Sequence, residues 1–125
     1  MNTDNTKPMF INLSNHPSSG WSKEQQQAAR SLGDIVDLQF PPVDPEMTTD
    51  QVKEKAGELV AAILEYGEPA TLTVHIMGEM TLTYSVVSAL CRLGVRCVAS
   101  TTERIVTEVD GKKVSEFHFV QFREY

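Results

Sequence analysis

Residues 71–94 read TLTVHIMGEMTLTYSVVSALCRLG, and they divide into a buried strand, a short Gly-Glu-Met turn and a helix. Leu72, Val74 and Ile76 share one face at period two, with Thr73, His75 and Met77 on the other. Past Gly78, the residues Leu82, Val86, Val87, Leu90 and Leu93 recur at helical spacing. Gly94 then stands where a left-handed C-terminal cap is expected. Val95–Ala99 begins a further strand at once. Strand, helix and strand with tight links make a βαβ unit, right-handed and parallel in nearly all cases. The turn Gly78-Glu79-Met80-Thr81 thus lies at a strand's carboxyl end and a helix's amino end, where open α/β sheets bind ligands.

Working outward, Met9–Leu13 is a short apolar strand that runs into the polar loop Ser14–Gly20, where Pro17 stops pairing. Ser22, with Gln25 three residues on, opens a helix on which Trp21, Ala28, Ala29 and Leu32 share a face and which closes at Gly33. Ile35–Phe40 is a second strand, stopped by Pro41-Pro42. Thr49 or Asp50 caps the longest helix, whose stripe is Val52, Ala56, Leu59, Val60, Ile63 and Leu64, and Gly67 ends it. Beyond the opening unit, Ser100–Arg104 reads as a loop and Ile105–Val109 as a strand. Asp110-Gly111 is a hairpin turn, and Lys112–Tyr125 is the return strand. The expected fold is a single α/β domain over residues 1–125, with residues 1–7 a flexible leader. It is a three-layer Rossmann-like sandwich of parallel strands in the order 2-1-3-4 with a C-terminal antiparallel β-hairpin.

The formal net charge is −6 over 125 residues, which argues against duplex DNA as a partner, since that needs a basic face. No apolar run reaches the ~18 residues of a membrane span, and MNTDNTKPMF lacks the layout of a signal peptide. Cys91 and Cys97 are expected as reduced core residues. The expected location is cytoplasmic, with no membrane partner. No Walker loop, GxGxxG, GxSxG or zinc-spaced Cys/His cluster occurs, so neither a metal nor a cofactor is expected.

The strand order places the loops after strands 1, 3 and 4 on one rim. Ser14, Asn15 and His16 offer a hydroxyl, an amide and an imidazole that could move a proton, and their plain alternative is turn chemistry. Gly78 permits close backbone approach, with Met80 and Thr81 presenting N–H groups. Glu79 is expected to accept a ribose hydroxyl, act as a base or pair with Arg104; its alternative is a solvated turn residue. Ser100, Thr101 and Thr102 add hydroxyls, and Arg104 is a phosphate clamp or a surface ion-pair partner. His75 is expected in the core or an interface, His118 on a solvent or partner face, and Arg123 at a solvated edge. Trp21 is expected as a helix staple, and Tyr84 faces a ligand or a second subunit.

The run strand-Ser-Asn-His-Pro, a Trp-x-x-x-Gln helix start, a Gly-Glu turn, Ser-Thr-Thr-Glu-Arg and a closing Phe-x-Phe-Val-x-Phe-Arg strand resembles the small stand-alone CRISPR-associated accessory proteins with a CARF-like (CRISPR-associated Rossmann) fold. The resemblance runs from about Met9 to Tyr125. It implies a homodimer, or higher homo-oligomer, that binds a cyclic oligoadenylate, most simply cyclic tetra-adenylate, across its two-fold axis. Such a protein degrades or sequesters the ring and so damps type III CRISPR signalling. Contacts would fall on Ser14, Asn15, His16, Gly78, Glu79, Thr101, Thr102 and Arg104, with His16 or Glu79 assisting metal-independent cleavage by the ribose 2′-hydroxyl. The competing readings are a non-enzymatic oligomerising interaction module and a small-metabolite enzyme using His16 and Glu79 as an acid–base pair.

Overall fold

The computed structural model describes residues 7–125. The strands are Met9–Ser14 (β1), Asp34–Gln39 (β2), Leu72–Met77 (β3), Arg96–Val109 (β4) and Lys112–Glu124 (β5), and the helices are Lys23–Arg30 (α1), Thr49–Leu64 (α2) and Met80–Arg92 (α3). They form one sheet in the order β2-β1-β3-β4-β5. The first four strands are parallel and β5 returns antiparallel to β4. The α/β class, the strand order and the closing hairpin agree with the pattern read from the sequence.

Alternation along the strands sorts their side chains into two layers of packing. Ile11, Leu13, Val74, Ile76 and Cys97 face α2 and α3, whose Val52, Ala56, Val60, Ile63, Leu82, Val86 and Leu90 complete the main core. The other face carries Phe10 and Val98 against Ala29 of α1, with Trp21, Leu32, Ile35 and Phe122 packed around them. That face is short of apolar surface toward the carboxyl ends of the strands, where Asn12, Ser14 and His75 are buried instead.

Local signals set the ends of the helices. Ser22 Oγ accepts from the Gln25 backbone N–H. A complete capping box, Thr48 with Gln51, opens α2, so the cap lies one residue before Thr49 and two before Asp50, the expected caps. Threonine at 48 meets its glutamine at the third helical position and satisfies two orphan donors at once. Gly94, at φ 86°, ends α3: its N–H donates to Cys91 O, and the Val95 N–H to Leu90 O. That is the Schellman pairing.

Two glycines are required by close approach. A Cβ on Gly33 would sit 2.7 Å from the Met9 backbone, and one on Gly78 would sit 2.5 Å from the Phe40 ring. Gly78 therefore admits a core aromatic, a role its loop position did not suggest.

The largest departure from expectation is at β4. It is one strand of fourteen residues, so Ser100–Arg104 is strand and not loop. β5 supplies backbone partners along this run, and threonine suits a pleated surface. Between Thr101 and Thr102 the partner jumps from Gln121 to Phe119, bulging β5 at Val120. Beyond the bulge the hairpin leaves the core: residues 102–118 are all exposed. Its tip, Asp110 at φ 53° and Gly111 at φ 77°, is the two-residue turn that the sequence announced.

Cys97 is buried but Cys91 is exposed on α3, and both are free, which corrects the expectation of two core cysteines. The expected leader at residues 1–7 lies, apart from Lys7, outside the described residues. Among the described residues, no helix is long and apolar enough to cross a membrane.

Candidate functional site

The sheet order brings the loop after β1 beside the end of β3, at the point where successive strands begin to be added in the opposite direction. A cleft of about 450 Å³ opens there, lined by Ser14, Asn15, His16, Trp21, Gln25, His75, Met77, Gly78, Ser100 and Thr102. It continues into a groove of about 680 Å³ between the α1 entrance and the exposed hairpin. His16, Trp21, Gln25 and Thr102 line both spaces. The groove's far wall is Glu116, Phe117, His118 and Phe119 of β5.

A polar chain crosses the sheet beneath this cleft. Asp37, Asn12 and His75 stand in register on β2, β1 and β3. Asn12 Nδ2 donates to Asp37 Oδ1 and to the His16 carbonyl, each at 2.9 Å. Asn12 Oδ1 receives Ser14 Oγ at 2.8 Å and lies 2.9 Å from His75 Nδ1. His75 Nε2 in turn lies 3.3 Å from Ser100 Oγ. Asp37 also accepts from the backbone N–H and the hydroxyl of Ser18, which ties the β1–α1 loop to β2.

His75 is 3 % exposed and is surrounded by aromatic rings, with Trp21 and Phe122 edge-on at 5.4 Å between centroids and Phe10 stacked at 6.3 Å. Burial, with the neighbouring His16 adding to it, pushes the imidazole down from 6.5 to about 4. It is neutral at pH 7.

The structure brings together Ser14, Asn15, His16, Gly78, Ser100 and Thr102 from the set expected on the sequence. Asn15 Oδ1 accepts from Gln39 Nε2. The remaining members lie elsewhere. Glu79 is the N-cap of α3: its Oε1 accepts from the Leu82 N–H at 2.8 Å, and Thr81 Oγ1 donates to its carboxylate. These bonds, the backbone one first, hold its carboxyl below the usual range. The carboxylate occupies the helix terminus where a ligand anion would sit. Arg104 is on the hairpin, and its guanidinium donates to Ser115 Oγ, with Nη2 at 3.0 Å. It is not paired with Glu79. Thr101 donates to the Gln121 carbonyl, and Met80 is 83 % exposed on a separate surface.

That surface adjoins the cleft through Met77 and Gly78, which line both, and it continues over Met80, Thr83, Tyr84, Val87 and Tyr125. Tyr84 is 75 % exposed. The Tyr125 hydroxyl donates to the Ile76 carbonyl at 2.6 Å. Thr83 Oγ1 is the one buried side-chain polar atom without a partner among the described residues.

Sequence reasoning missed Asn12 and Asp37 and set His75 aside as a core or interface residue. A signal was present: Asn12 and His75 each break the apolar pattern of a central strand, and adjacent strands placed them on one face. Buried polar groups need partners, so two such residues side by side imply one another.

The chain belongs to the Uncharacterized protein MJ1673 family. The family model matches residues 8–123, which takes in β1 to β4, the cleft and all of β5 but its last residue. No curated protein and no solved structure matches the chain.

Proposed function

We propose that the switch-point cleft binds a cyclic oligoadenylate, most simply cyclic tetra-adenylate, across a homodimer in the cytoplasm, and that binding removes this messenger of type III CRISPR signalling by degradation or sequestration. The observation that carries the reading is the cleft itself, polar on its floor, walled by Trp21 and continuous with a groove beside the hairpin. A small-molecule site is expected at this place in an open α/β sheet. Its extent exceeds what a single base needs, and the Ser-Asn-His-Pro and Ser-Thr-Thr-Glu-Arg resemblance supplies the ligand class.

Two features shape the mode of binding. Among the described residues, no lysine or arginine lines the cleft or the groove, so phosphates would be met by hydroxyls, amides and backbone N–H groups. The apolar surface of Met80, Tyr84 and Tyr125 shares Met77 and Gly78 with the cleft, so a second copy seated there would bring two clefts together. For cleavage, His16 is the exposed imidazole on the cleft wall, whereas His75 is buried with partners at both ring nitrogens.

Incubation of the purified protein with cyclic tetra-adenylate, followed by resolution of bound and cleaved products, tests the reading. Linear products that disappear in His16→Ala would assign degradation, and an intact, protein-bound ring would assign sequestration. An intact and unbound ring sinks the proposal. A second reading, a non-enzymatic interaction module, is favoured by the hairpin, which exposes Val106, Val109, Phe117 and Val120 to solvent. A two-stranded arm of this kind is marginal without cover.

A further inference from the structure

The polar chain under the cleft fixes more than the position of its members, because each link dictates the direction of the next. Asn12 has two amide hydrogens, and they go to Asp37 Oδ1 and to the His16 carbonyl, oxygens that only accept. Its orientation is therefore not open to a flip, and Asn12 Oδ1 is the atom that faces His75 Nδ1 at 2.9 Å. Two acceptors cannot share that distance, so Nδ1 carries the imidazole proton. A neutral ring then has a bare lone pair on Nε2. Ser100 Oγ, 3.3 Å away, is the group that can fill it. The hydroxyl has a second neighbour, Met77 Sδ at 3.0 Å, but a thioether is a weak acceptor. The single Ser100 proton therefore goes to His75.

We propose that Ser100 presents a fixed hydrogen-bond acceptor to the cleft, and that it selects ligands placing a donor there, an exocyclic amine or a ribose hydroxyl, over ligands offering only an acceptor. The identity of the ligand rests on the cyclic-oligoadenylate reading; the polarity of Ser100 rests on the hydrogen-bond chain alone. Ser100 is half-buried, lines the cleft and keeps its lone pairs once its proton is spent inward. A group that offers only lone pairs gains a bond from a ligand donor and none from a ligand acceptor, and that mismatch is how such sites discriminate.

The chain has the outline of a serine–histidine–asparagine relay, but it is built to read and not to abstract. A base is most effective with a pKa near the working pH, and His75 is held far below that by burial, with the neighbouring His16 adding to it. Protonation of Nε2 would leave Ser100 facing a donor and reverse the polarity of the site. Burial prevents it at neutral pH.

Two measurements test the proposal. Long-range proton–nitrogen correlation spectra of the ligand-free protein at pH 7 should show His75 with Nδ1 protonated and Nε2 bare; a protonated Nε2 overturns the proposal whatever the ligand. Titrations with cyclic tetra-adenylate, its 2′-deoxy counterpart and its inosine counterpart then locate the donor. One modified ring should bind the wild type more weakly by about fivefold, the scale of one hydrogen bond. Ser100→Ala should erase that difference alone, and Ser100→Thr should keep it. A weakened 2′-deoxy ring assigns the donor to the ribose, and a weakened inosine ring assigns it to the amine. Equal affinities in the wild type, or an equal loss for all three rings in Ser100→Ala, overturn the selection. If no ring binds, the ring reading falls and takes the donor's identity with it, while the spectrum still decides the polarity.

Discussion

Asn12 donates to Asp37 and His16 and accepts from Ser14 and His75, so this one buried amide joins three strands and a loop. Removing it leaves the buried His75 N–H without its acceptor, while the exposed Asp37 carboxylate keeps its bonds from Ser18. Asn12→Ala should therefore lower stability by roughly 3 kcal/mol, read as a fall in the urea midpoint. A change of a few tenths would contradict the network. The alternation that made Asn12 a strand residue was plain in the sequence, but its partners were not. His75 is 63 positions away, and the contact exists only because β1 and β3 are neighbours in register. Gly78 shows the same limit from the other side. Its loop position suggested ligand approach, and only the Phe40 ring packed above it reveals what the missing Cβ makes room for.

At the level of elements, the α1 start and the hairpin turn were legible because their signals are local: Ser22 three residues before Gln25, and Asp-Gly between two strands. The α2 cap, Thr48, was placed a residue or two late because Thr48, Thr49 and Asp50 are all good capping residues in a row. Ser100–Arg104 was not legible, since serine and threonine serve turns and strands alike. The deciding partner, β5, comes about twenty residues later. Glu79 is a similar case: a carboxylate in a turn before a helix is ambiguous until the Leu82 N–H is seen to point at it. As the cap of α3 it should be worth stability while it is charged. Its carboxyl is held below the usual 4.5, so the contribution is present above that value and is lost as pH falls through the lowered folded-state value. Glu79→Ala should thus melt below the wild type at pH 7, and the two melting temperatures should converge as the pH drops well under 4.5. A constant gap across that range would show that Glu79 acts through something other than its charge. Turnover, if present, should survive this substitution better than His16→Ala, because Glu79 does not line the cleft.

For the whole molecule, the buried imidazole makes stability depend on pH. His75 holds its proton only below about 4 in the folded chain, against 6.5 for an ordinary histidine. Between those values the unfolded chain binds a proton that the folded one refuses. Stability is therefore full above about pH 6.5 and falls as the pH drops to about 4, by roughly 3 kcal/mol from this group. Urea denaturation at intervals through that window should show the decline, and a flat profile would mean that His75 is open to solvent. The apolar surface around Tyr84 makes a second prediction. If a second copy covers it, Tyr84→Glu should give a monomer by sedimentation while leaving the fold intact, and a wild type already monomeric at micromolar concentration would remove the dimer from the account. The fold class and the strand order followed from βα alternation and tight links. Tyr84, read from the sequence as facing a ligand or a second subunit, is 75 % exposed. The central claim is that the switch-point cleft binds a cyclic oligoadenylate, and the molecule carries its own reporter in Trp21, the single tryptophan, on the cleft wall. Titration with cyclic tetra-adenylate, followed by Trp21 emission, should give a saturable change with one ring for every two chains. Emission that stays unchanged up to about millimolar ring, the weak end of specific binding, would contradict it.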